Sequence, residues 1–340
     1  MVIADPPFII HHGDSRQVLK GIDDESVHCC ITSPPYWGQR SYGGFGEIGQ
    51  EGSLESYVDS MAHVFIEVRR VLRPDGILWV ILGDRYLGKQ LQGLPWRIAL
   101  KLQEIGLVLR ADIIWDKCSP IPLPVLDRPT PVHEYCFLFS KKHRYHYDGF
   151  NLREPGVLGG HRNRRSIWRV NPSRRGRQRG QGGEHPATFP PDLILPMVWA
   201  GTSDHGVCGR CGAQYRRITQ RGQGDRPDPG HSEINRYGRG IHGIHRKTGQ
   251  KYNDWLIQNP LVSMGFEQSC QCEPGTPVPA VVLDPFCGIG TTGAVSLKQG
   301  RRFIGIDANE QYCDSSRRIL GGIVAAAKEA NVQMPLIPCK

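Results

Sequence analysis

The sequence predicts an α/β protein built on a mostly parallel, twisted sheet. Three observations carry this expectation. Short apolar runs recur at both ends of the chain, each closing on a turn-forming residue. Longer segments between them place apolar residues at three-to-four spacing, the period of a helix lying on a core. The two kinds of segment alternate, which is the order of a sheet covered by helices. At 340 residues the chain suits one large domain or two modest ones. Hydrophobic residues at 39% and charged residues at 22% are ordinary globular usage and exclude a mostly disordered chain. No apolar run approaches the ~18–20 residues a membrane-spanning helix needs. The amino-terminal segment lacks the basic start and apolar core of a signal peptide, so cytoplasmic residence and reduced thiols are expected.

Each element follows in order. Residues 8–12 (FIIHH) form a strand ending at Gly13-Asp14, and residues 27–32 (VHCCIT) a buried strand ending at Ser33-Pro34. A helix is predicted over 53–72. Ser53 caps it, Leu54, Tyr57, Val58, Met61, Phe65, Val68 and Leu72 share a face, and Arg73-Pro-Asp-Gly stops it. Residues 77–82 are a third strand, ending at Gly83-Asp84. A second amphipathic helix spans 95–105, closed by Gly106, and strands are predicted at 107–115 and 133–140. Residues 141–180 then carry twelve Lys or Arg and only two acids, Asp148 and Glu154. A short helix is predicted over 191–199. Residues 201–275 are rich in Gly, Arg and His and poor in apolar periodicity, and read as an insertion outside the sheet. The α/β pattern returns with a strand at 280–284, a turn at 285–290, a helix at 291–299, a strand at 302–307 and a helix at 310–320.

Two motifs carry chemistry. Asp284-Pro285-Phe286-Cys287-Gly288-Ile289-Gly290-Thr291-Thr292 sits between a strand and a helix. Its glycines let backbone turn tightly against a ligand. Asp307 ends the next strand, where a carboxylate can bind both hydroxyls of a ribose. No Gly-Lys-Ser/Thr follows, so a phosphate-free nucleoside fits better than a nucleotide triphosphate. The second motif, Ser33-Pro34-Pro35-Tyr36, leaves a buried strand. Two prolines fix the backbone and remove two donors. Ser33 and the Pro34 carbonyl are then free to accept from an amino group, and Tyr36 offers a flat ring for a base. An ordinary Gly-rich turn and a Pro-rich strand exit are the alternatives to these readings.

Together the motifs resemble the DNA amino-methyltransferases that use S-adenosylmethionine. Ser33-Pro-Pro-Tyr36 is similar to their catalytic motif and Asp284–Thr292 to their cofactor motif. The catalytic motif comes first, which resembles the permuted β class. Further likenesses are His12-Gly-Asp14-Ser15, Ile113–Lys117, Asp127–Thr130, His133-Glu134-Tyr135 and the stretch 185–190. The resemblance implies a Rossmann-like class I methyltransferase fold. It implies Ser33, Pro34, Pro35 and Tyr36 as catalytic residues. For the cofactor it implies Asp14, Ser15, Thr188, Phe189, Asp284, Pro285, Phe286, Gly288, Gly290, Thr291, Thr292 and Asp307. Ser33 stands where many adenine-modifying members carry Asp, so cytosine N4 is the expected target, with adenine N6 the nearest alternative. The amino nitrogen is conjugated and weakly nucleophilic, and a stacked base is out of reach. Positioning, with base flipping onto Tyr36, is therefore the expected mechanism. An RNA or protein substrate, or a non-catalytic zinc-bearing DNA-binding protein, are the remaining readings.

Three regions complete the organisation. Residues 1–200 hold the catalytic half, including the basic stretch 141–183, and residues 276–340 the cofactor half of the same domain. Residues 201–275 are read as the zinc-binding and target-recognition region. Cys208-Gly-Arg-Cys211 with Gly212 resembles a zinc knuckle, and Cys270-Gln-Cys272 supplies a second pair. Four thiolates binding a structural Zn²⁺ is favoured over four unrelated thiols, because a metal replaces a missing core. His205, His231, His242 and His245 read as solvated or phosphate-contacting. The net charge of +9 suits a polyanion, and the 174–179 cluster suits DNA phosphates. Double-stranded DNA is the expected partner, and the resemblance makes a homodimer plausible. The Gly-rich loop 38–52 is read as a cover for the flipped base, and Trp37 either lines its pocket or packs the loop.

Overall fold

The computed structural model describes residues 6–38, 47–118, 124–156, 160–172, 189–222 and 254–330. Its main strands are β1 (Phe8–His12), β2 (Val27–Thr32), β3 (Leu72–Leu82), β4 (Val108–Asp116) and β5 (His133–Ser140). They continue with β6 (Ile167–Arg169), β7 (Arg216–Gln220), β8 (Val262–Glu267), β9 (Val281–Asp284) and β10 (Arg302–Asp307). The helices are α1 (Ser15–Val18), α2 (Leu54–Val71), α3 (Leu94–Glu104), α4 (Pro191–Gly201), α5 (Thr291–Lys298) and α6 (Glu310–Glu329).

Eight strands form one sheet in the order β1-β10-β9-β2-β3-β5-β4-β6. The first five are mutually parallel, and β5 alone runs antiparallel to its neighbours β3 and β4. This is the class I methyltransferase architecture. β9 sits beside β2, with Val282 opposite Cys29 and Leu283 opposite Cys30. Two motifs far apart in the chain therefore leave the sheet side by side.

Both faces of the sheet are buried, which is why its strands read as unbroken apolar runs. Alternate residues serve opposite faces. Cys29, Ile31, Ile77, Trp79, Ile81, Cys136 and Leu138 pack with α4, α5 and α6. Cys30, Leu78, Val80, Leu82, Phe137 and Phe139 pack with α2 and α3. At Gly201 a Cβ would collide with Cys29, so only glycine lets the end of α4 lie this close to β2.

The structure departs from the sequence reading at four places. β3 begins at Leu72 rather than at 77, directly after α2. Val27 pairs with Leu72 and Cys29 with Ile77, so Arg73-Pro-Asp-Gly is a bulge within the ladder rather than a free turn. α6 runs past Leu320 to Glu329, because Ile323 and Val324 still pack on the core. The basic stretch contributes β6, parallel to β4 at the sheet edge. The 201–275 region contains an antiparallel ribbon of β7 and β8. Its start is tied to the segment leading into β9, since Val207 bridges Val278.

Candidate active site

The carboxyl ends of β1, β10, β9, β2, β3 and β4 meet at one edge, joined by the start of β5. Ligands of open α/β sheets bind outside this edge. Both motifs lie there.

The cofactor-type turn is organised by two carboxylates. Asp284 is buried, and its Oδ1 accepts from Thr32 Oγ1 at 2.7 Å and from the Phe286 amide at 3.1 Å. Its Oδ2 accepts from Thr292 Oγ1 at 2.8 Å, in the first turn of α5. Burial pushes its pKa up to about 6 against these donors. Asp284 thus binds β9, β2 and α5 together with contacts that are all internal. Asp307 accepts from the Gly288 amide at 2.8 Å and the Asn309 amide at 2.9 Å. Burial raises its pKa, and those two amides oppose the rise. Gly288 and Gly290 have φ of +53° and +84°, which a side chain would strain. Thr291 opens α5 immediately after Gly290. Ser15 Oγ donates to the Pro285 carbonyl, and Asp14 caps α1 by accepting from the Arg16 amide at 2.8 Å.

The catalytic-type motif is held from both sides. Tyr57 Oη donates to the Pro35 carbonyl at 2.8 Å from α2. Tyr36 Oη donates to Glu134 Oε2 at 2.8 Å, and Glu134 Oε1 pairs with Lys117. Burial, then the Glu134 charge, pushes the Tyr36 pKa well up, so the phenol stays protonated. Trp37 is fixed by loop contacts: Nε1 donates to the Glu51 carbonyl at 2.8 Å, and the Arg85 guanidinium lies 5.2 Å from its ring centre. This is the packing role of the two read for it. The Gly38 amide donates to the Gly49 carbonyl at 2.6 Å, pinning the ends of the loop that follows. Phe189 stands 5.5 Å from Trp115, ring centre to ring centre. Thr188, the 174–179 cluster, most of loop 38–52, and His231, His242 and His245 lie outside the described residues.

The structure gathers Cys208, Cys211, Cys270 and Cys272 so that their four sulfurs all lie within 4.8 Å of one another. Gly212, at φ +70°, turns the first knuckle. His205 is not solvated as expected: its ring stacks on Phe266 at 5.3 Å and meets Tyr215 edge-on at 4.8 Å. The knuckle docks at the opposite edge of the sheet from the motifs. His28 Nδ1 accepts the Val281 amide at 3.0 Å, so its Nε2–H donates to the Gly212 carbonyl at 2.9 Å. Arg73 Nη1 donates to the Cys211 carbonyl at 2.9 Å.

Residue-level sequence reading missed Thr32, Lys117 and the partner role of Glu134. Lys117 and Glu134 fall within the stretches 113–117 and 133–135 that carried the family likeness, which was the available signal.

Comparison with known proteins agrees with this geometry. A family model described as DNA methylase, of the N6/N4 type, matches residues 27–208 and 274–318. The type II methyltransferase M.Cfr9I of Citrobacter freundii is 31% identical over 342 residues, covering 92% of this chain and 87% of the relative. M.SmaI of Serratia marcescens is 30% identical over 340 residues, covering 91% and 89%. Among solved structures, the PvuII DNA methyltransferase (cytosine-N4-specific) superposes with a TM-score of 0.58 at 19% identity, covering 92% of this chain and 86% of that one. The M1.HpyAVI–SAM complex gives 0.50 at 16% identity, covering 92% and 98%. On its motifs, its strand order and these matches, the chain belongs to the N6/N4 family of DNA methylases.

Proposed function

We propose that this DNA methyltransferase acts on the exocyclic N4 of cytosine in double-stranded DNA, with S-adenosylmethionine as methyl donor. The observation that carries the cytosine reading is Ser33, a neutral hydroxyl, at the head of the catalytic motif. The likeness to the cytosine-N4-specific PvuII methyltransferase supports it, as does the SAM complex of M1.HpyAVI for the donor.

The residues fit the donor. A Cβ on Gly288 would meet nothing within 4 Å, so the turn presents open space where an adenosyl group is expected. Asp307 sits at that turn with its two oxygens held by one amide each, leaving lone pairs for ribose hydroxyls. Pro285, Phe286, Thr291, Asp14 and Ser15 would form the surrounding wall. Asp284 would act by holding the turn. When bound, the donor supplies an electrophilic sulfonium methyl. Ser33 Oγ and the Pro34 carbonyl accept the amino hydrogens, which favours a tetrahedral nitrogen with its lone pair available. The nitrogen would take the methyl as the sulfonium carbon–sulfur bond breaks to leave a neutral thioether, and would lose one proton to solvent. Rate comes from positioning and from fixed dipoles aimed at developing charge. Tyr36 stacks on the extruded base.

The test is nucleoside mass spectrometry after incubation with unmodified DNA and S-adenosylmethionine. N4-methylcytosine is the expected product. N6-methyladenine would retain the family chemistry and overturn the Ser33 reading. No methylated nucleoside from mixed-sequence DNA would move weight to an RNA substrate or to a non-catalytic DNA-binding protein. The relatives' type II names support a place beside a restriction enzyme that cuts the same sequence.

The four clustered cysteines are proposed to hold a structural Zn²⁺. Backbone amides of Cys211 and Arg210 point at Cys208 and draw its thiol pKa down, while the neighbouring cysteines push that of Cys272 up, the mutual repulsion that a bound Zn²⁺ would offset. The ribbon above the knuckle, with the basic stretch, is the proposed target-recognition and phosphate-contacting region.

A further inference from the structure

We propose that Glu134 is a positioning residue for methyl transfer, acting through Tyr36. This rests on the reading that Tyr36 lines the base pocket. Three elements converge on one carboxylate. Tyr36, past the end of β2, donates to Oε2 at 2.8 Å, and Lys117, past the end of β4, pairs with Oε1. Glu134 itself projects from β5. Its side chain is only 12% exposed, so the ion pair is held in place rather than sampled. Gly83, at the end of β3, closes the fourth side. A Cβ there would come within 2.9 Å of the Tyr36 ring and 3.2 Å of Glu134 Oε1. The Ser33 hydroxyl faces the same phenol.

The consequence is orientational. The Tyr36 ring turns about χ1 and χ2, and stacking needs one setting of both. Its phenol bond to Glu134 selects that setting, and Lys117 fixes the carboxylate that makes the bond. The same contact anchors the phenol faced by Ser33, whose oxygen must accept from the amino group. Among the described residues, the Glu134 carboxylate bonds Tyr36 and Lys117 and makes no hydrogen bond or ion pair with the donor turn. Its removal is therefore expected to misplace the base while sparing donor binding.

The experiment compares Glu134→Ala, Glu134→Gln and Tyr36→Phe in the full chain. Readouts are steady-state methylation, S-adenosylmethionine affinity by calorimetry, and fluorescence of a cytosine analogue, pyrrolo-deoxycytidine, at the target base. Glu134→Ala is expected to lower kcat about tenfold or more, since small misplacements of reacting groups are costly. Donor Kd should stay within about twofold, because the two sites share no contact. The target-base fluorescence should change, reporting altered stacking. Glu134→Gln keeps an acceptor for the phenol and should recover most of the turnover. Adding Glu134→Ala to Tyr36→Phe should cost little more than either alone, since both break one link. If Glu134→Ala folds and leaves kcat and the fluorescence unchanged, if Glu134→Gln loses as much turnover as Glu134→Ala, or if the losses of Glu134→Ala and Tyr36→Phe simply add, the inference is wrong. An unaltered protein that methylates DNA without any fluorescence response at the target base would overturn the Tyr36 pocket reading instead.

Discussion

Asp284 is the residue on which the two halves of the site depend. It is a buried carboxyl whose pKa is raised to about 6, with burial outweighing the donors Thr32, Thr292 and Phe286. The direction sets its effect on stability. A carboxyl raised in the folded state binds a proton between the unfolded value near 3.9 and about 6, while the unfolded chain does not. Its penalty is therefore absent below about pH 4, grows as pH rises, and is complete above about pH 6. Two pKa units correspond to about 3 kcal/mol. Asp284→Asn removes the charge and keeps the shape, and the two threonine hydroxyls can turn to suit an amide. Urea unfolding of both proteins between pH 4 and 7 should show the variant gaining about 3 kcal/mol relative to the parent across that window. A constant difference would show that Asp284 does not titrate there. At this scale the contiguous motifs were legible: Ser33–Tyr36 and Asp284–Thr292 announce their turns through proline and glycine. The pairs were not. Thr32 meets Asp284, and Tyr36 meets Glu134, across separations that only the strand order closes.

Elements were read well where periodicity was strong and badly where small residues interrupted it. α2 begins at its Ser53 cap as expected, the Ser56 amide donating to Ser53 Oγ at 3.1 Å. β3 and α6 were both cut short, at Arg73-Pro-Asp-Gly and at Gly321-Gly322, because turn chemistry is local and the packing that overrides it is not. β6 was hidden because Ile167-Trp-Arg has one buried side chain amid basic neighbours. The glycine pair offers a test. A Cβ at Gly321 or Gly322 would meet nothing within 4 Å, and neither has positive φ. Alanine at either position should stabilise the helix by about 0.5–1 kcal/mol, through propensity and a less flexible unfolded chain. Thermal unfolding of the double variant should therefore shift upward. A downward shift would mean that these glycines serve a close approach by another molecule.

At the scale of the molecule, chemistry and scaffold occupy opposite edges of one sheet. The cysteine knuckle is bonded to His28 at the start of β2, whereas Ser33 follows its end. The two are five residues apart along an extended strand, about 17 Å. A second tie runs beside the first. Arg217 of β7 pairs with Asp148 and Asp204, and Arg301, ahead of β10, pairs with Asp204, all four side chains being under 10% exposed. Partnered charges at this depth specify one docking arrangement, because losing one partner strands the other. The insertion is thus fastened to the sheet by hydrogen bonds to the carbonyls of the cysteine knuckle and by buried ion pairs, far from the donor turn. Metal analysis of reduced, freshly purified protein should give one zinc per chain. Chelation under reducing conditions, or Cys211→Ser with Cys270→Ser, should lower the melting temperature by roughly 5 °C or more, since structural zinc contributes folding energy outright. S-adenosylmethionine affinity at temperatures below melting should stay within about twofold, because the sites share no contact. DNA binding should weaken if the ribbon carries target recognition. A protein free of metal with four titratable thiols and unaltered melting would remove zinc from the structure. Loss of donor binding on chelation would instead show that the knuckle at one end of β2 sets the geometry of the turn at the other.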